Sequence, residues 1–374
     1  MTSLEVCVVV PGDIDDAGVP SGGNRYDRRL CEELAASGRT VRELPVPGSW
    51  PRPGEAARAE LGRTLAARPD GSVVLIDGLV ACGVPEVVVP EAGRLRLAVL
   101  VHLPLADEPG QADLNAGERK VLEAAGAVIA TSPWARDHLI AHHGLEASRV
   151  HAVTPGTDPA PLASGGDGST RLLCVASVTP RKGHDVLVEA LATVAHLSWR
   201  CECAGPLGRD ARHVERLRGL IGEHGLQGRV ELVGPLTGKR LEDAYAGADL
   251  LVLASRAETY GMVVTEALAR GVPVLATSVD GVPDALGWDS SGAVPGMLVP
   301  PDDPAALGAA LRRWLVEPEL RDRLRASARL RRGALPGWDD TARRMATVLS
   351  RLRRDQAFPA GAGAPPQGGT NDRG

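Results

Sequence analysis

The sequence predicts an α/β protein with two doubly wound, Rossmann-like domains that face a central cleft. Short apolar segments alternate with helical segments, a stretch rich in Pro, Gly and Ser interrupts this pattern near the middle, and the chain has 374 residues. Domains usually hold about 100–200 residues, so this length favours two. Alternating strands and helices favour parallel sheets covered on both faces, with ligands at the carboxyl ends of the strands.

The first domain is predicted over residues 1–154. Its strands are short and apolar, as expected for buried parallel strands, and helices such as Tyr26–Ser37 and Ala112–Ala125 lie between them. The predicted strands are Glu5–Val10, Thr40–Leu44, Ser72–Ile76, Leu97–His102, Ala127–Thr131 and Val150–Val153.

Residues 155–170 are predicted to be a linker, because they are rich in Pro, Gly and Ser and have no periodicity. The second domain is predicted over 171–336, and a helix within 337–356 is expected to cross back to the first domain. The tail 357–374 is of low complexity and is predicted to be disordered. The predicted strands of the second domain are Arg171–Ala176, Trp199–Ala204, Val230–Val233, Asp249–Leu253 and Pro273–Thr277.

Composition and charge exclude several classes of protein. The net charge is −5, from 42 basic and 47 acidic residues, which gives no reason to expect a nucleic-acid partner. No apolar run approaches 18 residues, and the N-terminus lacks the features of a signal peptide. The six scattered cysteines predict buried free thiols and a cytoplasmic location. Cys201 and Cys203 lack the second pair that a zinc site would need.

The C-terminal segment from Arg312 to Arg354 is rich in arginine, with 13 Arg against 5 Asp or Glu. A basic helical end of this kind can make weak peripheral contact with the anionic inner face of a membrane. The alternative, which we favour, is a solvated helix face with arginine as its surface residue.

The segment Ser255–Thr277 combines several features of a ligand site. An apolar strand leads into a polar loop and then a helix, with Glu258 in the loop and Glu266 on the helix. The helix start offers unpaired N–H groups to an anion, and Gly261 lets a ligand approach the backbone. The alternative is a surface helix with two ordinary glutamates.

This segment resembles the E-x7-E motif of family-4 retaining glycosyltransferases, which have the GT-B fold. The turn Gly271–Pro273 and the loop Asp280–Asp284 also match that family. The resemblance implies that Glu266 binds the ribose and that Glu258 lies beside the donor sugar as a catalytic residue. It also places the backbone at Tyr260 and Gly261 against the sugar and the diphosphate, and Met262 at the sugar. The family usually has Phe at the position of Tyr260.

A second motif, Val178–His184, follows a strand and opens a helix, where a lysine is well placed for a phosphate. It resembles the R-x4-K-G motif of the same family, which implies that Lys182 holds the donor diphosphate. The family's arginine position is Ser177 here, so one cation of the clamp is missing. Arg181 is the candidate replacement.

Two first-half features complete the expected cleft. Gly22 and Gly23 open a helix and resemble the family's glycine loop near the donor phosphates. His102 ends an apolar strand at a carboxyl edge and resembles the cleft histidine that contacts the donor sugar. In the second half, Gly234 and Leu236 resemble residues that border the nucleotide base.

The resemblance implies a glycosyltransferase that moves a sugar from a nucleoside diphosphate sugar to an acceptor with retention of configuration. The partners are a nucleotide-sugar donor and a small-molecule, glycan or lipid-linked acceptor. No cofactor and no metal ion are expected, because no Asp-x-Asp motif follows a strand in the second half. The alternatives are a sugar-nucleotide epimerase of similar architecture and a non-catalytic nucleotide-sugar-binding protein.

Overall fold

A computed structural model describes residues 5–16, 18, 20–107, 112–165 and 170–355. It contains two sheets, each of six parallel strands, in the orders β2-β1-β3-β4-β5-β6 and β12-β11-β10-β7-β8-β9. The strands are β1 (Glu5–Pro11), β2 (Thr40–Val46), β3 (Val73–Asp77), β4 (Arg96–Val101), β5 (Ala127–Ala130), β6 (Val150–Ala152), β7 (Thr170–Val175), β8 (Trp199–Ala204), β9 (Val230–Gly234), β10 (Leu250–Leu253), β11 (Val274–Thr277) and β12 (Gly296–Val299).

Helices cover both sheets, and the predicted α/β fold is confirmed. The helices of the first half are α1 (Gly22–Ala36), α2 (Glu55–Ala66), α3 (Gly78–Ala81), α4 (Pro85–Val88), α5 (Asn115–Ala124) and α6 (Pro133–His143). Those that follow are α7 (His184–Thr193), α8 (Ala211–Glu223), α9 (Gly238–Ala246), α10 (Met262–Ala269), α11 (Val282–Leu286), α12 (Pro304–Val316), α13 (Pro318–Arg332) and α14 (Trp338–Asp355).

The central strands are buried on both faces because nearly all their residues are apolar. Every residue of β4, β5, β10 and β11 is buried. Val, Leu and Ala fill the layers between sheets and helices, with large contributions from Trp199 and Trp314. This packing fixes the carboxyl edge of each sheet, where the loops with polar residues lie.

The last helix, α14, returns to the first half. One face of it packs among α1 and the first sheet, where Trp338 makes an edge-to-face contact with Tyr26 at 5.6 Å. Thr341 donates a hydrogen bond to the Thr154 carbonyl at 2.9 Å. The helix packs there because an apolar stripe runs along one face of the otherwise polar α14. Its members are Trp338, Ala342, Met345, Ala346, Val348, Leu349 and Leu352.

Several expectations from the sequence need correction. β12 was not predicted, since its four residues follow a glycine- and proline-containing loop. Thr170 belongs to β7 rather than to the linker, and α1 begins at Gly22, one turn before Tyr26. Glu266 is the fifth residue of α10, so it lies about one turn into the helix. The tail 357–374 lies outside the described residues.

The described part of the linker packs against the second half instead of standing free. The backbone N–H of Ala163 donates to the Arg270 carbonyl at 2.9 Å, and that of Ser164 donates to the Ala246 carbonyl at 3.0 Å. None of the described helices has the length and hydrophobicity of a membrane span. On α14, Arg343 pairs with Asp339 and Asp340 at 2.9 and 2.5 Å. Membrane contact through these helices stays a prediction.

Candidate active site

Loops from three neighbouring strands of the second sheet meet at Glu258. The Lys182 ammonium, after β7, contacts the Glu258 carboxylate, and both side chains are only 14% exposed. The backbone N–H of Glu258 donates to the Asp280 carboxylate, after β11, at 2.7 Å. Burial raises the pKa of Asp280, although that N–H opposes the shift. The structure therefore brings the two predicted motifs together at one carboxyl edge.

Two glycines let these loops approach one another. Gly183 has a φ of +63° and Gly261 one of +89°, both in the left-handed region that other residues rarely adopt. A Cβ on Gly183 would lie 1.9 Å from the Ala254 carbonyl oxygen, so the Lys182 loop is pressed against the end of β10. Gly261 caps α10 without a side-chain hydrogen bond, which leaves backbone N–H groups at its start facing outward from the helix.

Glu266 lies where the two halves meet. One carboxylate oxygen accepts a hydrogen bond from the Tyr245 hydroxyl at 2.8 Å, and the other pairs with Arg25 at 2.8 Å. Arg25 belongs to α1 of the first half, and it also pairs with Asp158 at 3.0 Å. The Glu266 charge raises the pKa of Arg25 even though burial opposes the shift.

His102 directly follows β4 at the carboxyl edge of the first sheet, as predicted. Its Nε2 lies 2.8 Å from the Asp27 carboxylate and 3.6 Å from that of Asp77. Burial lowers the pKa of His102, but the two carboxylates outweigh it and raise the pKa to about 9. Burial and the Asp27 charge raise the pKa of Asp77 to about 8. The cluster therefore holds a cationic imidazole at neutral pH.

The glycines that open α1 stand between His102 and the second half. A Cβ on Gly23 would lie 3.1 Å from the His102 ring, and one on Gly22 would lie 3.7 Å from the Met262 sulfur. Ser21 caps the helix by accepting a hydrogen bond from the Asn24 N–H at 3.0 Å. Met262 thus packs across the cleft, against the loop that was predicted to face the donor.

Three predicted residues have surroundings that bear on their expected roles. Tyr260 is 7% exposed and its side chain packs in the apolar layer of the second half, so its backbone is the part that can face a sugar, as the resemblance implies. Leu236 lines a groove of about 460 Å³ together with Arg171, Arg240 and other residues, and neither Lys182 nor Glu266 lines it. A Cβ on Gly234 would meet open space, so nothing there requires a glycine except its φ of +76°.

Arg181, the predicted replacement for the missing clamp arginine, makes two hydrogen bonds within the second half. Its guanidinium donates to the Ala257 carbonyl at 3.1 Å, and its own carbonyl accepts from the Arg256 N–H at 2.8 Å. These bonds join the loops after β7 and β10 beside Glu258. Whether Arg181 reaches a phosphate stays a prediction.

Within the described residues, two clusters bring together groups that could hold a metal ion. One is Asp27, Asp77 and His102, and the other is Cys174, His184 and Cys203 in the interior behind the Lys182 loop. The cysteines are free and buried, as predicted. Cys201 and Cys203 face the same side, with their sulfurs 4.0 Å apart. The expectation of metal-free chemistry stays a prediction.

The sequence did not point to several residues that surround His102 and Glu266. Asp77 could have been suspected, because it is the polar end of an apolar strand. Asp27, Arg25 and Tyr245 lie on helices among other polar residues and carry no signal of their own. Asp158 lies in the predicted linker, where no role was assigned to it.

Comparison with known proteins assigns this architecture to a family. The model described as "Glycosyl transferase 4-like domain" matches residues 2–156, and the model described as "Glycosyl transferases group 1" matches residues 165–331. D-inositol 3-phosphate glycosyltransferase 1 of Catenulispora acidiphila is 32% identical over 301 residues, which cover 76% of this chain and 69% of that protein. The chain belongs to this glycosyltransferase family.

The similarity to such relatives is incomplete in length. The D-inositol 3-phosphate glycosyltransferase of Kineococcus radiotolerans is 33% identical over 279 residues, which cover 68% of this chain and 64% of that protein. The chain thus matches about two-thirds of the length of these two curated relatives. This family of transferase enzymes is the one that the sequence motifs predicted.

Solved structures with low sequence identity share the fold. Sucrose-phosphate synthase from Thermosynechococcus elongatus superposes with a TM-score of 0.77 at 22% identity, covering 94% of this chain and 100% of that chain. Anabaena HepE in complex with UDP-glucose superposes with a TM-score of 0.72 at 18% identity, covering 92% and 99%. The fold is GT-B, as predicted.

Proposed function

We propose that this chain is a retaining glycosyltransferase that moves a sugar from a nucleoside diphosphate sugar to an acceptor without a metal ion. The observation that carries the proposal is that Lys182 meets Glu258 where the two predicted motifs come together, while Glu266, eight positions further along the chain, is held by Tyr245 and by Arg25 of the first half. Family membership supports the transfer reaction, and the UDP-glucose complex of HepE supports a nucleotide-sugar donor.

Lys182 is the proposed ligand of the donor diphosphate. Its ammonium is mostly buried and is balanced by the Glu258 carboxylate. A diphosphate at the start of α10 would draw this charge away from Glu258 and would also meet the N–H groups beside Gly261. Charges held in place in this way stabilise the diphosphate as it departs, with little rearrangement.

Glu266 is the proposed anchor of the ribose. Its carboxylate is nearly buried and oriented by Tyr245, which leaves lone pairs for two hydroxyl groups. A buried carboxylate without hydrogen-bond partners costs free energy of folding. The ribose hydroxyls would therefore replace Arg25 as hydrogen-bond partners of Glu266 when the donor binds.

Glu258, His102 and the backbone at Tyr260–Gly261 are proposed to surround the donor sugar. In a retaining transfer, the bond from the anomeric carbon to the phosphate oxygen breaks. The acceptor oxygen then bonds on the same face, and its proton passes to the departing diphosphate. The cationic His102 offers an N–H to the sugar or to the leaving oxygen. Glu258 is a sugar ligand, since Lys182 and Asp280 fix it from two sides.

The acceptor is the least constrained partner. Small molecules, glycans and lipid-linked acceptors all fit the proposal, and the named relatives make a cyclitol phosphate the first acceptor to test. Gly22, Gly23 and Met262 are proposed to lie near the donor as well, because they meet beside His102.

The donor can be found with a thermal-shift screen of UDP-, GDP-, ADP- and TDP-sugars on the full chain. A ligand at 100 times its Kd stabilises the folded state by about 2.7 kcal/mol, which such a screen detects. Glu266→Ala and Lys182→Ala should abolish the shift, while the exposed Lys239→Ala keeps it. No shift with any sugar nucleotide, or equal shifts in all variants, would refute the proposal.

Turnover then separates the remaining classes. A transferase releases nucleoside diphosphate in the presence of an acceptor. A sugar-nucleotide epimerase would convert the donor with no acceptor, and a binding protein would give a shift with no turnover in any acceptor panel. Either of these two outcomes would replace the proposed activity.

A further inference from the structure

Arg25 joins the two halves of the molecule at the proposed donor site. It lies in the first turn of α1, next to the Gly22–Gly23 pair. Its guanidinium contacts Glu266 on α10 at 2.8 Å and Asp158 at 3.0 Å, after the last strand of the first sheet. The Arg25 side chain is 39% exposed, whereas that of Glu266 is 10% exposed. One arginine thus covers the carboxylate that we propose as the ribose anchor.

The cations of the proposed donor site are already paired with carboxylates. Lys182 contacts Glu258, whose backbone N–H donates to Asp280, while Arg25 pairs with Glu266 and shares Asp158 with Arg29. A nucleoside diphosphate adds at least two negative charges. Lys182 is the second-half cation that we propose to meet these charges, so a further cation beside Glu266 would strengthen donor binding.

The neighbouring arginines are held elsewhere. Arg256 makes two hydrogen bonds with Asp185, at 2.8 and 2.9 Å, and pairs with Asp302 at 2.6 Å. Arg181 donates to the Ala257 carbonyl. Arg25 differs because one of its carboxylate partners is itself a proposed ligand of the donor, and its planar fork matches a phosphate as well as a carboxylate.

We propose that Arg25 is a donor-binding residue that exchanges partners when the nucleotide sugar enters. The inference rests on the proposed function. Without a donor, Arg25 neutralises Glu266. When the ribose hydroxyls bind Glu266, the guanidinium turns to the diphosphate and supplies a further cation from the opposite half. Glu266 then has the ribose hydroxyls as hydrogen-bond partners and Asp158 keeps Arg29, while the phosphate contact draws the two halves together around the donor.

The test compares ligands of increasing charge. The binding of a nucleoside, its monophosphate and its diphosphate is measured by calorimetry on the full chain, with the base chosen by the donor screen. Arg25→Ala should weaken diphosphate binding roughly 10- to 100-fold, the range for hydrogen bonds to charged groups. It should leave nucleoside binding unchanged or tighter, because Glu266 loses a competitor. Arg25→Lys should restore part of the diphosphate affinity.

Arg29→Ala is the matched control. Arg29 lies one turn further along α1 and also pairs with Asp158, at 2.7 Å, but not with Glu266. It should change diphosphate affinity less than about 3-fold. A merely structural role for Arg25 would lower nucleoside and diphosphate affinity equally, and that result would overturn the inference.

The outcomes distinguish this inference from the proposed function. If the wild type binds diphosphate and Lys182→Ala weakens it while Arg25→Ala does not, the inference fails and the proposed function stands. If the wild type binds no nucleotide, both fail. Melting temperatures of Arg25→Ala and Arg25→Lys within a few degrees of the wild type show that the comparison concerns folded protein.

Discussion

The two halves of the molecule build their sides of the cleft in different ways. In the second half, Lys182, Glu258 and Glu266 come from short segments that follow adjacent strands, β7 and β10. In the first half, His102 depends on Asp27 from α1 and Asp77 from β3, which lie 75 and 25 positions away along the chain. Lys182 and Glu258 lie 76 positions apart, so both sites exist only after folding, but Lys182 and Glu258 each stand in a recognisable sequence motif, whereas Asp27 and Asp77 do not.

This difference also divides the chemistry. The second-half residues form a lysine–glutamate pair and a glutamate that face charged and hydroxyl-bearing groups of a donor. The first-half cluster keeps a histidine protonated mainly through the buried Asp27 carboxylate, with Asp77 beside it. Arg25 links the two sides of the cleft, because it lies on α1 of the first half and contacts Glu266 of the second half. The comparison predicts that mutations will have distinct effects on the two sides.

The largest effect is expected for the second-half pair. Glu258→Gln and Lys182→Met should each lower kcat/KM about 100- to 1,000-fold, the usual loss when a preorganised charged group is removed. The same substitutions at exposed residues, Glu215→Gln and Lys239→Met, serve as matched controls, and their kcat/KM should stay within about 2-fold of the wild type. Initial rates with the identified donor measure all four. Equal losses in the control variants would contradict a specific role for the pair.

A smaller effect, on stability, is expected for the first-half cluster. The pKa of His102 is raised to about 9 from an ordinary value of 6.5, so its contribution to stability is complete below pH 6.5 and is lost as the pH rises through 9. The raised pKa of Asp77, about 8, acts in the same direction, since the folded state holds the proton more tightly. The free energy of unfolding should therefore fall between pH 6.5 and 9.

Urea unfolding at pH 6.5, 7.5 and 8.5 measures this slope. His102→Asn and Asp27→Asn should flatten it, because each removes one side of the 2.8 Å pair. The distant His213→Asn should not, since burial lowers the pKa of His213. An unchanged slope in both cluster variants would show that the histidine is not held in its charged form.

The smallest effect is expected at Tyr260. Its side chain is buried in the apolar layer of the second half, and burial raises its pKa to about 12. Tyr260→Phe should therefore change the free energy of unfolding by less than about 1 kcal/mol and leave kcat/KM within about 2-fold. Donor KM and thermal melting report both values. A 10-fold rise in donor KM would place the hydroxyl in the site after all.

The fold could be predicted because its signals are periodic and local. Apolar runs such as Val6–Val10 and Leu97–Val101 have few alternatives to a buried parallel strand. β12 could not be predicted, because Gly296–Val299 forms a strand only by pairing with β11 at the sheet edge. The ends of the predicted helices Tyr26–Ser37 and Ala112–Ala125 were off by one to four residues, because capping and tertiary packing decide where a helix begins and ends.

The second-half site was predictable for the same reason, since each of its residues follows a strand within a recognisable turn. The first-half cluster was visible only as His102. Arg25 was invisible because a single arginine on a polar helix face has many ordinary explanations. Its contact with Glu266 joins positions 241 residues apart, which no local pattern encodes. If Arg25 binds the diphosphate, it also supplies the positive charge that the clamp lacks at Ser177.

The central claim is that Lys182, Glu258 and Glu266 form the donor side of a glycosyltransferase. The most direct test is to follow nucleoside diphosphate release from the screened donor by chromatography, with cyclitol phosphates and other acceptors, and to determine the anomeric configuration of the product. We expect one donor to be consumed with retention by the wild type and by Lys239→Ala, and not by Lys182→Ala or Glu258→Gln. Release at the wild-type rate by Lys182→Ala and Glu258→Gln, or a product with inverted configuration, would contradict the account.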